Sequence, residues 1–398
     1  MKNQITLNIT DLVYPGKGFA RLDGLVFFVP GVIPGETVSA VIKKQHKNYA
    51  EAEVVEILDP SPARIDAACP IFRRCPGCCY HHIDYRYEIA VKQRQFIELL
   101  NRFGGIDASK VLSPIPSLLE LGYRNKIVLH IEGNTERRVL GYIGYDNITV
   151  VDVSACPLAI EPINGLLSDL SERQCFVHGF VPGDQVVLRY TEQDGAIYFK
   201  KDTTSRQVRL VESTLLGPVE VPLTSFFQVN RHIADRLLSR VIDLIKMDPP
   251  EWVIDLYCGV GVFTMAALQA GVTRVAAIDT DGSAVRAAEE NAKRYFGFTT
   301  GLFRTQSADS GLREILKQID SSRCVLILDP PRRGISSRVI QAIAANPPRR
   351  ILYISCAPDS LARDIARLRN IGYAVEHTQL FDMFPRTAYF ESLTLLKL

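Results

Sequence analysis

Trp252-Val253-Ile254-Asp255-Leu256-Tyr257-Cys258-Gly259-Val260-Gly261-Val262-Phe263 is the stretch that decides the fold. Its first five residues form a short apolar run, which predicts a strand buried on both faces. Two glycines follow at a strand-to-helix turn. Without a Cβ there, the backbone can approach a ligand closely. A helix is expected from about Phe263. The third glycine of a dinucleotide fingerprint would fall at Thr264, so a pyrophosphate-binding Gly-x-Gly-x-x-Gly is absent. The next apolar run, Arg274-Val275-Ala276-Ala277-Ile278, closes on Asp279. A carboxylate at that place accepts hydrogen bonds from ribose hydroxyls. The combination points to an adenosine ligand without a diphosphate, and S-adenosylmethionine fits.

Outward from this stretch the chain alternates strands and helices. A helix is expected over Ser283 to Tyr295, with Asp281 or Ser283 available as cap. Cys324-Val325-Leu326-Ile327-Leu328 and Ile351-Leu352-Tyr353-Ile354 are further continuous apolar runs. The pattern predicts an α/β fold, a doubly wound, Rossmann-like parallel sheet. It occupies a domain spanning residues 221–398. Residues 1–60 differ. Ile5 to Ile9, Val26 to Pro30, Glu36 to Ile42 and Glu51 to Leu58 read as strands punctuated by Gly and Pro, a small OB-like β-barrel. Asp59-Pro60-Ser61-Pro62 reads as a linker. Residues 61–220 form an expected α+β central domain, with a helix over Tyr85 to Phe103 and a boundary in the proline-containing stretch Leu216 to Leu223.

A chain of 398 residues with 47% hydrophobic residues supports two or three domains with buried cores. No run of 18 apolar residues and no signal-peptide core are found, so a cytoplasmic protein without membrane attachment is expected. The net charge of +2 neither demands nor excludes nucleic acid. Basic runs at Lys43-Lys44 with Lys47, Arg73-Arg74, Lys200-Lys201, Arg332-Arg333 and Arg349-Arg350 would suit a phosphate backbone. Nine cysteines in such a chain suggest metal ligation or catalysis rather than disulfides.

Three stretches carry candidate chemistry. Asp329-Pro330-Pro331-Arg332 follows an apolar strand at the carboxyl edge of the sheet, where ligands bind. Ser355-Cys356-Ala357-Pro358 ends the strand Ile351 to Ile354 at the same edge. A free cysteine is ordinarily core packing. Here the helix expected near Asp359 and Ser360 would lower the pKa of Cys356 through its dipole. Glu391 immediately precedes an alternating terminal strand.

Taken together these residues resemble the RNA uridine-5-methyltransferase family. The family pattern Phe-Gln-x-Asn stands here as Phe227-Gln228-Val229-Asn230, and Asp-Leu-Tyr-Cys-Gly as Asp255 to Gly259. Asp-Pro-Pro-Arg is Asp329 to Arg332, and Ser-Cys-Asn-Pro is Ser355 to Pro358. Pro-x-Thr-x-His-Val-Glu is Pro385 to Glu391. Two departures are Ala357 for Asn and Tyr389-Phe390 for His-Val. The resemblance implies a methyltransferase acting on C5 of an RNA uridine, with Cys356 as nucleophile and Glu391 as proton acceptor. It implies that Gln228, Tyr257, Asp279 and Asp329 contact S-adenosylmethionine. It also implies that residues 1–60 form a TRAM domain that binds RNA. The chemistry is consistent with these residue types. Thiolate addition at C6 makes C5 nucleophilic, and a carboxylate then removes the C5 proton. The target base must leave its stack to reach the thiol.

Cys69, Cys75 and Cys78 form C-x5-C-x2-C, and Cys156 precedes Pro157. Four thiolates suit tetrahedral Zn²⁺ or a [4Fe–4S] cluster, and spacing leaves both open. The resemblance implies the iron–sulfur cluster in preference to zinc. Cys79 is not expected among the ligands, and Cys175, Cys258 and Cys324 read as packing residues. Ribosomal RNA, 23S rRNA in particular, is the expected substrate of a monomer, with tRNA as the alternative. A non-catalytic RNA-binding assembly factor and a small-molecule or protein methyltransferase are rival readings. The retention of Cys356 with Glu391 counts against the first, and the barrel with its cysteine-bearing domain against the second.

Overall fold

The structure is a computed structural model and describes residues 4–133, 138–173, 180–203, 208–297 and 301–398. Strands β1 (Gln4–Val13), β2 (Lys17–Leu22), β3 (Leu25–Pro30), β4 (Thr37–Gln45) and β5 (Tyr49–Asp59) close into a barrel in the order β1-β2-β3-β5-β4. Leu7, Ile9, Ala20, Phe27, Val29, Val38 and Ala40 fill it. Strand β2 escapes a hydrophobic-pattern reading because glycine and alanine supply its buried positions.

Helix α1 (Tyr85–Leu99) follows, its first turn capped by the Asp84 carboxylate, which accepts from the Arg86 and Tyr87 amides. Strands β6 (Lys126–Gly133), β7 (Arg138–Ile143) and β8 (Val150–Asp152) precede helix α2 (Glu161–Arg173), and β9 (Gln185–Thr191) and β10 (Gly195–Lys200) come after it. They form an antiparallel sheet in the order β10-β9-β6-β7-β8. Ile163, Leu167 and Leu170 of α2 pack on one face against Ile127, Leu129, Val186 and Leu188.

Strands β11 (Arg209–Thr214) and β12 (Gly217–Pro222) pair as a hairpin. The domain boundary expected between 220 and 221 thus falls inside a strand rather than a linker. The prolines that suggested a linker sit on a strand paired on one side, where a missing N–H is tolerated. Buried Arg189 of β9 binds Glu212 of β11 at 2.6 Å and fixes the hairpin to the central sheet.

The remaining chain runs through α3 (Arg231–Met247), β13 (Trp252–Leu256), α4 (Val262–Gln269), β14 (Val275–Asp279), α5 (Gly282–Phe296), β15 (Leu302–Thr305), α6 (Ala308–Leu316) and β16 (Cys324–Leu328). It ends with α7 (Ser337–Ala345), β17 (Arg350–Ser355), α8 (Pro358–Arg369), β18 (Ala374–Phe381) and β19 (Glu391–Lys397). The seven strands lie in the order β15-β14-β13-β16-β17-β19-β18. The first five are parallel, and β19 runs antiparallel between β17 and β18. β19 is buried along both faces rather than alternating. Among the described residues no helix is long and apolar enough to cross a membrane.

Part of the expected central domain rides on this sheet. Phe96, Leu100 and Ile106 join the core formed by Leu326, Ile351 and Tyr353. Val111 and Ile115 bridge to Thr378 and Phe381 of β18. The deepest link is ionic. The fully buried Lys92 ammonium lies 2.7 Å from Glu88 and 2.7 Å from Asp382, and also donates to the Phe384 carbonyl. The Tyr85 hydroxyl donates to Asp382 at 2.8 Å. Arg386, itself buried, gives its backbone N–H to Glu88 and its guanidinium to the Ile83 carbonyl and to Glu120. Losing one partner strands a charge in a dry interior, a cost of about 3–5 kcal/mol. Lys92→Met is expected to lower unfolding stability by about that amount in urea titration. Lys17→Met, which breaks the half-exposed pair with Glu51, should shift the midpoint little.

Candidate active site

Strand register brings the two proposed reacting groups together. Ser355 at the end of β17 pairs with Ser392 near the start of antiparallel β19. Cys356 and Glu391, one step further on each strand, therefore meet at the carboxyl edge of the sheet. The same edge receives Tyr257 after β13, Asp279 at the end of β14 and Asp329 after β16. Gln228, Tyr257, Asp279, Asp329, Cys356 and Glu391 all line one cleft of about 930 Å³. All six residues predicted to be catalytic or to contact S-adenosylmethionine thus share one cavity.

The cleft keeps polar atoms ready for a ligand. Gln228 Oε1 and Glu391 Oε2 are buried without a hydrogen-bond partner among the described residues. Such orphans are costly unless something else satisfies them. The Asp279 carboxylate accepts from the Gly259 and Asp281 amides, each at 2.9 Å, and is held at the rim of the glycine turn. Tyr257 takes φ +68°, a left-handed conformation that costs a non-glycine residue about 1–3 kcal/mol. Its N–H and that of Cys258 both donate to the Ile278 carbonyl, which holds the turn. Gly261, at φ +82°, is irreplaceable by packing: a Cβ there would stand 2.7 Å from the Ala288 Cβ. These features suit an adenosine ligand carrying an amino-acid tail, as S-adenosylmethionine does.

Electrostatics correct one expectation. The dipole of α8 does not prevail at Cys356. Burial first, then the charges of Glu391 and Asp329, push its thiol up to about 12, while Arg332 opposes them. Burial, followed by the Asp329 charge, holds the Glu391 carboxyl well above the usual range, again against Arg332. Burial together with Asp255 and Asp279 raises Asp329 to about 7. Burial and mutual repulsion thus make Asp329 and Glu391 harder to ionise than exposed carboxylates.

The two departures from the family pattern have visible consequences. Ala357 precedes α8 and offers no side-chain cap, whereas an asparagine there could accept from the first turn. The Ser355 hydroxyl instead accepts from the Ala357 N–H at 3.1 Å. Phe390 is fully buried and packs edge-on to Phe96, with ring centres 5.3 Å apart. Tyr389 stacks under the Arg332 guanidinium, 4.0 Å from its ring centre. Sequence reasoning read Arg332 only as part of a basic run suited to a phosphate backbone, and gave Tyr389 no role. It also missed Phe226, 69% exposed at the cleft wall, because neither pattern nor spacing separates a wall aromatic from a core one. Asn230, quoted without a role, ties α3 to the segment before Glu391, donating to Ser117 Oγ and the Met383 carbonyl.

Cys69, Cys75, Cys78 and Cys156 line one small pocket with Ile71, Phe72 and Tyr142. Burial raises the thiols of the first three, and Cys156 adds to each. Among the described residues no group of three or more ligating side chains stands at the spacing of a metal-ion site. The thiols share a pocket without closing on a single ion. Cys79 lies outside that pocket, packed beside Tyr14 and Tyr80. Cys258 and Cys324 are buried in apolar clusters. Cys175 lies outside the described residues.

Comparison with known proteins agrees with this geometry. Residues 185–398 match the model of the tRNA (uracil-5-)-methyltransferase family, and residues 3–55 match the TRAM domain. The chain is 31% identical to a 23S rRNA (uracil(1939)-C(5))-methyltransferase of Stenotrophomonas maltophilia, over 98% of this chain and 96% of the relative. It is 30% identical to an RNA methyltransferase of Aquifex aeolicus, over 99% and 98%. Its fold matches the Pyrococcus abyssi tRNA (uracil-54, C5)-methyltransferase, crystallised with S-adenosyl-L-homocysteine, at TM-score 0.73 and 22% identity, covering 98% of this chain and 99% of that one. The chain belongs to the tRNA (uracil-5-)-methyltransferase family, RNA uracil-5-methyltransferases that use S-adenosylmethionine, and carries a TRAM barrel ahead of its catalytic sheet.

Proposed function

We propose that this enzyme methylates C5 of a uridine in 23S ribosomal RNA through a covalent Cys356 adduct resolved by Glu391. The observation that carries the reading is the meeting of Cys356 and Glu391 across the β17–β19 register, inside the cleft that Gln228, Tyr257, Asp279 and Asp329 also line. The ribosomal substrate is supported by relatives that match nearly the whole chain. A tRNA substrate is the second reading, supported by the name of the matched family.

S-adenosylmethionine supplies an electrophilic methyl group on a sulfonium. Gln228, Tyr257, Asp279 and Asp329 would hold it along the carboxyl edge. Cys356 loses its proton, and its thiolate adds to C6 of the unstacked uracil, placing negative charge on C5 and O4. C5 attacks the sulfonium methyl, whose bond to sulfur breaks, so that the methyl group passes to C5 and S-adenosylhomocysteine is left. Glu391 then removes the proton left on C5. The C6–S bond breaks, C5=C6 reforms and Cys356 returns as thiolate.

The cysteine pocket is part of the same reading. Four thiols in an apolar pocket, with no carboxylate among its lining, suit a soft iron–sulfur centre. Cys69, Cys75, Cys78 and Cys156 would hold a [4Fe–4S] cluster there, zinc being the alternative occupant. Methyl transfer needs no electrons, so its contribution would be structural. Cys79 and Tyr80, next along the chain, both donate backbone N–H groups to the Arg386 carbonyl at 3.1 Å, five residues before Glu391.

With 5-fluorouridine-substituted RNA and S-adenosylmethionine, the protein should migrate as a covalent complex on denaturing gels. Cys356→Ala should abolish the complex and all methylation, and an active variant would overturn the covalent route. Glu391→Gln should transfer the methyl group yet stay attached to ordinary RNA, because the C5 proton cannot leave. The pH profile follows from the raised acids. The reaction needs the Cys356 thiolate and the Glu391 carboxylate, whereas burial favours both protonated forms. Consequently kcat/KM should climb as the pH rises and each group loses its proton, and a falling profile would contradict these assignments. Protein purified without oxygen should contain iron and acid-labile sulfide in cluster ratio, lost in Cys78→Ser. Stoichiometric zinc instead would exclude the iron–sulfur assignment.

A further inference from the structure

We propose that Tyr389 is a positioning residue that holds the Arg332 guanidinium in the cleft beside Cys356 and Glu391, and that Tyr14 braces the segment carrying Tyr389, so that the N-terminal barrel takes part in organising the site. The inference rests on the covalent reading above. Arg332 follows the rigid Pro330-Pro331 pair and lines the cleft with both reacting groups. Its backbone is fixed: the carbonyl accepts from the Ser360 hydroxyl at 2.6 Å, and Arg363 holds the next carbonyl, that of Arg333. Its side chain is mostly solvent-facing. Among the described residues no carboxylate forms an ion pair with it. Tyr389 restrains the guanidinium, its ring lying 4.0 Å below it. A cation over an aromatic face is held by the ring quadrupole.

Tyr14 closes the arrangement from the barrel. It leaves the end of β1 and packs on the cluster of Leu12, Ile33, Tyr80, Ile83, Val91 and Ala388, the last being the neighbour of Tyr389. Gly16, two residues on, leaves no room for a Cβ, which would stand 2.8 Å from Cys79 Sγ. The barrel tip is thereby wedged against the edge where the reaction occurs.

A guanidinium fixed there has a defined use. Thiolate addition to C6 places negative charge on the uracil ring and requires an ionised Cys356. Arg332 is the cation that opposes the burial and repulsion that keep Cys356 and Glu391 protonated. Its placement by Tyr389 lowers the barrier to adduct formation without adding affinity for RNA.

The test is the single-turnover rate of adduct formation on 5-fluorouridine RNA, measured against RNA concentration. Tyr389→Leu should slow the maximal rate about five- to thirtyfold and leave half-saturation by RNA unchanged. Tyr389→Phe, which keeps the ring face, should recover most of that loss. Tyr14→Ala should act in the same direction and Tyr14→Phe should recover it. Arg332→Ala should be as slow as the double variant Tyr389→Leu with Arg332→Ala, because the tyrosine acts through the arginine. A wild-type maximal rate in Tyr389→Leu would overturn the proposal, as would a loss confined to RNA half-saturation or a further drop in the double variant. Unchanged S-adenosylhomocysteine binding verifies that each variant is folded. Failure of the wild-type protein to form any adduct would instead overturn the covalent reading on which the proposal stands.

Discussion

The Lys92 ammonium, buried between Glu88 and Asp382, is the interaction on which the architecture turns. It joins a helix that precedes the central sheet to the segment that leads into β19. A buried ion pair adds little stability over an apolar contact, but breaking one is costly. Its value lies in specificity, since the segment from Asp382 to Glu391 has little regular structure of its own. Arg386 sits there at φ +68°, buried, its carbonyl accepting from Cys79 and Tyr80 and its N–H donating to Glu88. Helix α1, the loop after the cysteine pocket and the segment ending in Glu391 therefore meet in one charged knot. Tyr123 adds a further tie, its hydroxyl donating to the Pro385 carbonyl.

The catalytic sheet was legible from sequence because parallel strands buried on both faces leave continuous apolar runs. Trp252 to Leu256 and Cys324 to Leu328 are such runs, and both are strands with those bounds. The Asp281 cap of α5 was equally readable, since a short acidic side chain before a helix has one usual use. Strand β2 was not, because Gly18 and Ala20 bury small residues that carry no hydrophobic signal. β12 was misjudged for a related reason. Its prolines mark an unpaired edge, and proline alone does not distinguish such an edge from a linker.

The site was legible where chemistry restricts residue type. A glycine turn followed by a strand-ending acid located Asp279, and motif resemblance supplied Cys356 and Glu391. What brings the last two together is an antiparallel register between β17 and β19, which no local pattern encodes. The expected influence of the α8 dipole on Cys356 failed because desolvation and two neighbouring acids outweigh a helix end. Arg332 and Tyr389 stayed hidden for another reason. A basic run reads as solvated surface, and the ring beneath it lies 57 residues away in sequence, by 389 minus 332.

The close fit of Gly16 against Cys79 has a consequence for the RNA. A barrel seated without a gap is not free to swing on the Pro60–Pro62 connection, so the span from its outer face to the cleft is a fixed length. The enzyme is then a rigid gauge, and the nucleic acid must supply the compliance. Only an RNA segment that can arch over that span and still release one base downward will register with both ends.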